Sequence, residues 1–256
     1  MENAKRYKPF ELDCFVDITK NHYIHPFSKP THGHLFIACE SHTLLDYLLN
    51  HMINSVLTGY DMNEVKLSIY SQKMSDRANE INRYLHLPIM RTADELKKRL
   101  LQVKKIMDRR YKTFKDFVSR DIDEFNQKII NKQINKRILP FLLILIDELP
   151  TQDGRMDEEL NTLIYEIAQK SRAAGIHIIL TSTMPSKAMS PLLKYQMDGI
   201  IGKFTQIDDG IVLLGKRDGH QVLYIQHGDV MVYENNGNHH VYQITEASER
   251  PLVHKL

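Results

Sequence analysis

Apolar positions along this chain follow two rhythms. Short runs almost free of polar positions, LFIA at 35–38, FLLILI at 141–146 and HIIL at 177–180, predict strands of a parallel sheet covered on both faces. Elsewhere apolar pairs recur every four residues. Leu44, Leu45, Leu48, Leu49, Met52, Ile53, Val56 and Leu57 form one broad stripe and predict a helix near 43–58. A long helix is predicted over 93–118, opening at Thr92 with Glu95 three residues on, a capping-box pattern. Further helices are predicted at 121–132, at 157–173 closed by Gly175, at 188–196 and at 208–214. VKLSIYS (65–71), LPIM (87–90) and GIIGKF read as strands. VLYIQ, VMVYE and HHVYQI, separated by turn residues, read as an antiparallel edge at the C-terminal end. Strands alternating with helices predict an α/β fold with a mostly parallel sheet, and one domain over 1–256.

Bulk properties narrow this picture a little. With 256 residues, 42% hydrophobic and 26% charged, the chain can build its core without disulfide or metal staples. The net charge of +2 neither demands nor excludes a nucleic acid. Two cysteines, Cys14 and Cys39, are too few for a disulfide framework and suit a reducing cytosol. No apolar run reaches the roughly 18–20 residues that span a bilayer. The start, MENAKRYKPF, lacks the apolar centre of a signal peptide. The chain is therefore expected to be a module of a longer protein, anchored, if at a membrane, by another part.

The candidate chemistry lies after the first apolar strand. A strand–turn–helix such as HLFIACESHTLLDYLLNHMI (34–53) is where G-x-x-x-x-G-K-[ST] would cradle nucleotide phosphates. Here the turn is Cys39, Glu40, Ser41, His42, Thr43, Leu44, Leu45, Asp46, without glycine or lysine. Yet FLLILI runs into Asp147 and Glu148, the pair that would hold magnesium and polarise water. The loop reads as a strand-to-helix connector. A cation on Asp46, Asp147 and Glu148, with His42, is the other reading. Lys97, Lys98, Arg99, Lys104 and Lys105 could meet DNA phosphates, but interspersed acidic residues also suit a solvated face. The 13 histidines are scattered, with His22, His25, His32 and His34 in one turn-rich stretch and His239–His240 in another. They read as surface residues without zinc-site spacing. Met184, Met189, Leu192, Leu193 and Met197 cluster after a central strand, as core or as an adaptable surface for a partner helix.

Taken in order, these blocks resemble the FtsK/SpoIIIE-type RecA-like motor module along nearly the whole chain. HLFIA…LLNHMINSVL resembles the elements that bracket that family's phosphate loop. MDRRYKTF…SRDIDEFNQKI, LPFLLILIDEL, SRAAGIHIILTSTMPS and LLGKRDG resemble its later blocks. The resemblance implies a RecA-like P-loop NTPase fold: a mostly parallel central sheet flanked by helices, with extra antiparallel strands at the C-terminal end. The family's loop lysine and serine fall on Leu45 and Asp46, and its Gln-Arg pair on Thr183 and Met184. The expectation is a relic nucleotide site made of Cys39, Glu40, Ser41, His42, Thr43, Leu44, Leu45, Asp46, Asp147 and Glu148. It would hold no catalytic residue and no bound ATP, magnesium or other metal, and the domain would not be an enzyme.

Such a degenerate module most resembles the C-terminal ATPase-like domain of EssC/EccC, the coupling proteins of type VII secretion. That resemblance implies a cytoplasmic domain of a cell-membrane-anchored protein. It would recognise secreted helical-hairpin substrates by a C-terminal signal, or regulate the adjacent ATPase modules of its chain, with the full-length protein assembling as a hexamer. The fragment itself would not touch the membrane. Met184, Met189, Leu192, Leu193 and Met197 are the expected substrate-binding residues. The alternative is a nucleic-acid-binding module of a DNA translocase or conjugation-type coupling protein.

Overall fold

A computed structural model describes residues 9–28, 33–73, 85, 87–149, 151–152, 155–234 and 238–244. The apolar runs form the middle of a seven-stranded sheet. Its strands are β3 (Leu35–Ala38), β4 (Val65–Ser71), β5 (Phe141–Asp147), β8 (Ile176–Ser182), β9 (Asp198–Ile201), β10 (Asp229–Tyr233) and β11 (His239–Gln243), in the order β11-β10-β9-β3-β8-β5-β4. From β9 to β4 all neighbours run parallel. β10 and β11 add antiparallel strands at the C-terminal end. Every residue of β3 and β8 is buried, whereas β11 is almost wholly exposed. The runs without polar faces thus became the central strands. A hairpin of β1 (Leu12–Val16) and β2 (His22–His25) and a short pair, β6 (Thr151–Gln152) and β7 (Arg155–Met156), stand apart from this sheet.

Helix α1 (His42–Gly59) buries Leu45, Leu48, Leu49, Met52, Ile53 and Val56, the stripe read from the sequence. Each such side chain contributes roughly 1.5–3 kcal/mol on burial. Helix α2 (Ala93–Asp116) opens on Thr92, whose Oγ1 accepts from Glu95 N–H, while Glu95 accepts in return from Thr92 N–H. Near its end Arg110, 6% exposed, donates to the carbonyls of Ala174 at 2.5 Å and Pro140 at 2.6 Å. These carbonyls stand at the entrances of β8 and β5, so Arg110 fastens the helix to two parallel strands. Helices α3 (Ile122–Ile130) and α4 (Glu158–Lys170) follow the predicted segments with trimmed ends.

Three predicted elements differ. LPIM (87–90) is no strand, and only Met90 makes an isolated bridge, to Tyr70. The single helix expected at 188–196 is two short turns, α5 (Pro185–Ala188) and α6 (Pro191–Lys194). Pro191 has no N–H to donate back to residue 187, so each proline starts a turn and neither can sit inside one helix. VLYIQ is not a strand. Helix α7 (Ile207–Asp218) breaks at Gly215, φ 83°, and a 3₁₀ turn, Gly219–Leu223, follows. The break folds Gly219 back onto Gly210, where a Cβ would lie 1.9 Å from the Gly219 carbonyl oxygen.

The histidines also depart from the surface reading. His25, His34 and His177 are buried, and His32 lies outside the described residues. His34 Nδ1 accepts from Ile178 N–H at 3.0 Å, which leaves Nε2 to donate to the Ala168 carbonyl at 2.9 Å. One neutral imidazole thus joins β3, β8 and α4. Burial holds the pKa of His34 down to about 3 and that of His177 to about 4. Both stay neutral in the native state while the unfolded chain takes up protons below about pH 6.5. Their stability contribution is complete above that pH and is lost as pH falls through about 4 and then 3. Urea midpoints measured from pH 7 to 4 should fall steadily, and His34→Gln should flatten the slope.

Candidate functional site

The carboxyl ends of β3, β8, β5 and β4 emerge side by side, the edge at which open α/β sheets bind ligands. Cys39, Glu40 and Ser41 leave β3 there, and α1 already begins at His42. Ser41 is the N-cap. Its Oγ accepts from Leu44 N–H at 3.2 Å and its carbonyl from Leu45 N–H at 3.0 Å. Ser41 N–H in turn reaches Cys39 Sγ at 3.2 Å. N–H groups that a phosphate loop would aim at its ligand are therefore engaged within the turn. Leu45 is 3% exposed and faces the core, whereas His42, Thr43 and Asp46 are exposed. Burial pushes the Cys39 thiol up to about 11, so it stays protonated and unreactive at neutral pH.

Four hydrogen bonds fix this turn to β8 and to the segment that follows β9. Cys39 N–H donates to the Ser182 carbonyl and Glu40 N–H to that of Lys203, both at 3.3 Å. Glu40 Oε1 accepts from the N–H and Oγ1 of Thr205, at 2.8 and 2.7 Å. Gly202 permits the approach, since a Cβ there would stand 2.5 Å from that of Cys39.

The opposite side of the edge is built of oxygen. Asp147 Oδ2 accepts from Ser71 Oγ at 2.6 Å, and Oδ1 from Thr181 Oγ1 at 3.3 Å. Burial raises the Asp147 pKa, against the pull of the Ser71 hydroxyl. Glu148 adopts a left-handed backbone, φ 57°, a conformation that costs a non-glycine residue about 1–2 kcal/mol. Its N–H donates to Thr181 Oγ1 at 2.9 Å, and its carboxylate takes Thr183 Oγ1 at 2.7 Å and Lys73 Nζ at 2.5 Å. Burial works against the charged form, yet Lys73 and Thr183 together hold the Glu148 pKa below the usual carboxylate value. The sequence pointed to Asp147 and Glu148, and to Thr183 only as a departure from the family's pattern, but not to Ser71, Lys73 or Thr181. The available signal was polar residues ending the apolar strands VKLSIYS and IHIILTST. This oxygen-rich end suits a hard cation such as magnesium, with Asp147 as its holder. The loop side presents Leu45 and Asp46 where a phosphate loop has lysine and a hydroxyl. Among the described residues Asp46, Asp147, Glu148 and His42 do not converge on a common cation position.

With this geometry in view, comparison with known proteins decides the family. Residues 1–187 match the FtsK/SpoIIIE family model. The chain belongs to the FtsK/SpoIIIE family. It is 30% identical over 243 residues to DNA translocase SftA of Bacillus subtilis (strain 168), covering 90% of this chain and 25% of that protein. It is 31% identical over 155 residues to DNA translocase FtsK of Borreliella burgdorferi, covering 60% of this chain and 20% of that protein. The chain thus spans a quarter or less of the length of these relatives. The fold is that of the conjugation coupling protein TcpA of pCW3, solved as a monomer with ATPγS (TM-score 0.74, 16% identity, 95% of this chain and 68% of that one). It is likewise that of ATPases 2 and 3 of EssC from Geobacillus thermodenitrificans (TM-score 0.71, 16% identity, 96% and 46%). Thermomonospora curvata EccC, ATPases 2 and 3 with a signal sequence peptide, is also similar (TM-score 0.63, 12% identity, 96% and 42%). The RecA-like α/β architecture expected from the sequence is present.

These comparisons correct two expectations. The altered loop led to a reading of the domain as no enzyme and as a module that takes neither ATP nor magnesium. The family is one of enzymes, its relatives are named DNA translocases, and similar structures are named as ATPases or as a complex with an ATP analogue. The loop residues describe local chemistry at one turn, and they do not remove the chain from an ATPase family.

The other expected site residues separate by burial. Met184 and Leu192 are exposed, at 54% and 59%, while Met189, Leu193 and Met197 lie in the core. Only the first two present surface to a partner, and exposed Tyr195 and Ile207 stand on the same group of short helices. On the basic helix, Lys97 pairs with Glu159 and Lys104 with Glu166 of α4. Arg99 is buried and donates to Ser68 Oγ at 3.0 Å. Lys98 and Lys105 remain exposed. No helix among the described residues is long and apolar enough to cross a membrane.

Asp147→Asn tests the carboxylate edge. A carboxyl whose native pKa is raised destabilises the fold once it ionises, so stability is higher below its native pKa and is lost as pH rises through it. The variant should melt a few degrees higher than the parent at pH 7. The gain should shrink as pH falls through the raised pKa and vanish below the ordinary aspartate value of about 3.9. A melting-temperature series over that range measures it.

Proposed function

We propose that the chain, as one module over 1–256, belongs to a type VII secretion coupling protein of the FtsK/SpoIIIE family and engages secreted helical substrates through a C-terminal signal. In this reading it is a cytoplasmic part of a membrane-anchored protein. It works beside other ATPase modules of its chain in an oligomeric motor, and ATP and magnesium belong to its chemistry. The observation that carries the proposal is the exposure of four large apolar side chains at or beside α5, α6 and the start of α7: Met184, Leu192, Tyr195 and Ile207, at 54%, 59%, 63% and 47%. The helices concerned pack together: α5 meets α7, and α6 meets α7. Ser186 N–H ties α5 to Asp209 Oδ1 of α7 at 2.9 Å. A group of exposed large apolar side chains on a rigid support is what an amphipathic signal helix needs. The likeness to EssC and EccC, the latter solved with a signal peptide, supports the same direction.

The second reading, a module of a DNA translocase, is favoured by the 30% identity to SftA. Its expected DNA-facing cations are mostly engaged elsewhere, since Lys97 and Lys104 are ion-paired and Arg99 is buried.

A binding titration with a fluorescent type VII helical-hairpin substrate, with and without its C-terminal tail and with duplex DNA as competitor, separates the two. The expected result is tail-dependent binding that DNA does not displace. It should weaken at least tenfold, about 1.4 kcal/mol, in the double variant Met184→Asp, Leu192→Asp, with no change in melting temperature. Binding indifferent to the tail and to both substitutions, with salt-sensitive DNA binding instead, would establish the translocase reading.

A further inference from the structure

Away from the sheet edge, the β1–β2 hairpin lies against α1. The hairpin's register shifts between Asp13 and Phe15, a bulge that sends Cys14 and Phe15 into the core and leaves Asp13 half-buried at the junction with the helix. Asp13 N–H donates to Ser55 Oγ at 3.2 Å, which fixes the strand to the helix one turn beyond His51. His22 reaches the same carboxylate from β2.

Three elements therefore bring three metal-ligating side chains to one point. His22 Nδ1 lies 2.6 Å from Asp13 Oδ2, and His51 Nε2 lies 3.0 Å from Asp13 Oδ1. The ligand atoms all fall within 4.8 Å of one another, the one such cluster among the described residues. Asp13 Oδ1 and His51 Nε2 are buried atoms that face each other without forming a hydrogen bond. The carboxylate is shared unequally: His22 Nδ1 hydrogen-bonds Oδ2, whereas the His51 ring is not angled to donate to Oδ1. With Nε2 as its lone-pair nitrogen, the His51 ring and Asp13 Oδ1 converge as two ligand atoms of the kind a divalent cation takes.

We propose that Asp13, His22 and His51 bind one divalent cation of the zinc class, clasping the β1–β2 hairpin to α1. Two imidazoles and a carboxylate are borderline ligands that suit zinc, cobalt or nickel, and they lack the oxygen set that magnesium or calcium requires. Metal–ligand lengths of about 2.0–2.2 Å place tetrahedral ligands roughly 3.3 Å apart. The observed pairs would have to open by less than about 1 Å to admit the ion. His22, whose side chain is 55% exposed, leaves the fourth position to water. The site is separate from the loop at 39–46 and does not depend on the proposed substrate. The three residues are 9 and 29 positions apart along the chain, so no spacing motif announces them.

The untagged, chelator-treated chain, titrated with zinc chloride in excess magnesium and followed by calorimetry and thermal melting, tests the site. One equivalent of zinc should bind and raise the melting temperature by several degrees, since a ligand of the native state stabilises it. His22→Ala, an exposed position whose loss leaves the core intact, should weaken binding at least tenfold and remove the thermal gain, as should His51→Ala. The double variant His239→Ala, His240→Ala should bind as the parent does. Absence of a one-to-one site in the parent, equal binding in His22→Ala, or loss of binding in the His239, His240 variant would each overturn the assignment.

Discussion

The parallel pairing of β3 between β8 and β9 is the constraint on which the molecule rests. Four buried residues, Leu35 to Ala38, form the middle of the sheet, and everything that gives the chain its chemistry leaves from their two ends. At the entry, His34 bonds to both β8 and α4 as a neutral imidazole. At the exit, Cys39 and Glu40 are tied to Ser182, Lys203 and Thr205. The start of α1 is therefore held by strands on both sides, and α1 in turn supports the hairpin that carries Asp13 and His22. A shift of β3 by one residue would turn each of its side chains to the other face and undo all of these ties at once.

The sheet edge joins two kinds of chemistry. At the ends of β4, β5 and β8, hydroxyls surround Asp147, and Glu148 is kept in a costly left-handed conformation by Thr181, Thr183 and Lys73. Strain of this kind persists only where neighbours over-determine it. At the end of β3 the turn closes on itself through Ser41, and its buried leucine serves the core. Membership of an ATPase family and a self-satisfied loop coexist in one chain. Beyond Thr183 the chain leaves this edge into α5 and α6, where prolines break one helix into two turns.

Much of the fold was legible because it rests on local patterns. FLLILI, HIIL and the stripe of α1 have only one burial solution each, and the Thr92–Glu95 capping box marks its helix start by itself. Elements decided by contacts distant in sequence were not legible. VLYIQ has strand character, but the packing of Gly210 on Gly219 draws Val222 and Leu223 into a 3₁₀ turn and leaves the rest of the segment without regular structure. His34 reads as a loop histidine until its two partners, on β8 and α4, are in place. At the candidate site, Asp147 and Glu148 could be read from their strand, whereas the Ser71 and Thr181 hydroxyls reach them only through the register of β4 and β8. The reading of the loop as the end of enzymatic chemistry went too far, because a turn's residues report on that turn and the family is carried by the whole chain. Three residues of the methionine–leucine cluster proved to be core, as their helical neighbours bury one side of each short turn.

In the proposed reading, Met184, Leu192, Tyr195 and Ile207 are the residues that meet substrate. Hydrogen–deuterium exchange of the chain with a helical-hairpin substrate, and separately with duplex DNA, tests this most directly. Substrate should slow exchange across residues 184–195 and the start of α7, and DNA should leave those amides unchanged. Protection by DNA along α2, with no effect of substrate on 184–195, would contradict it.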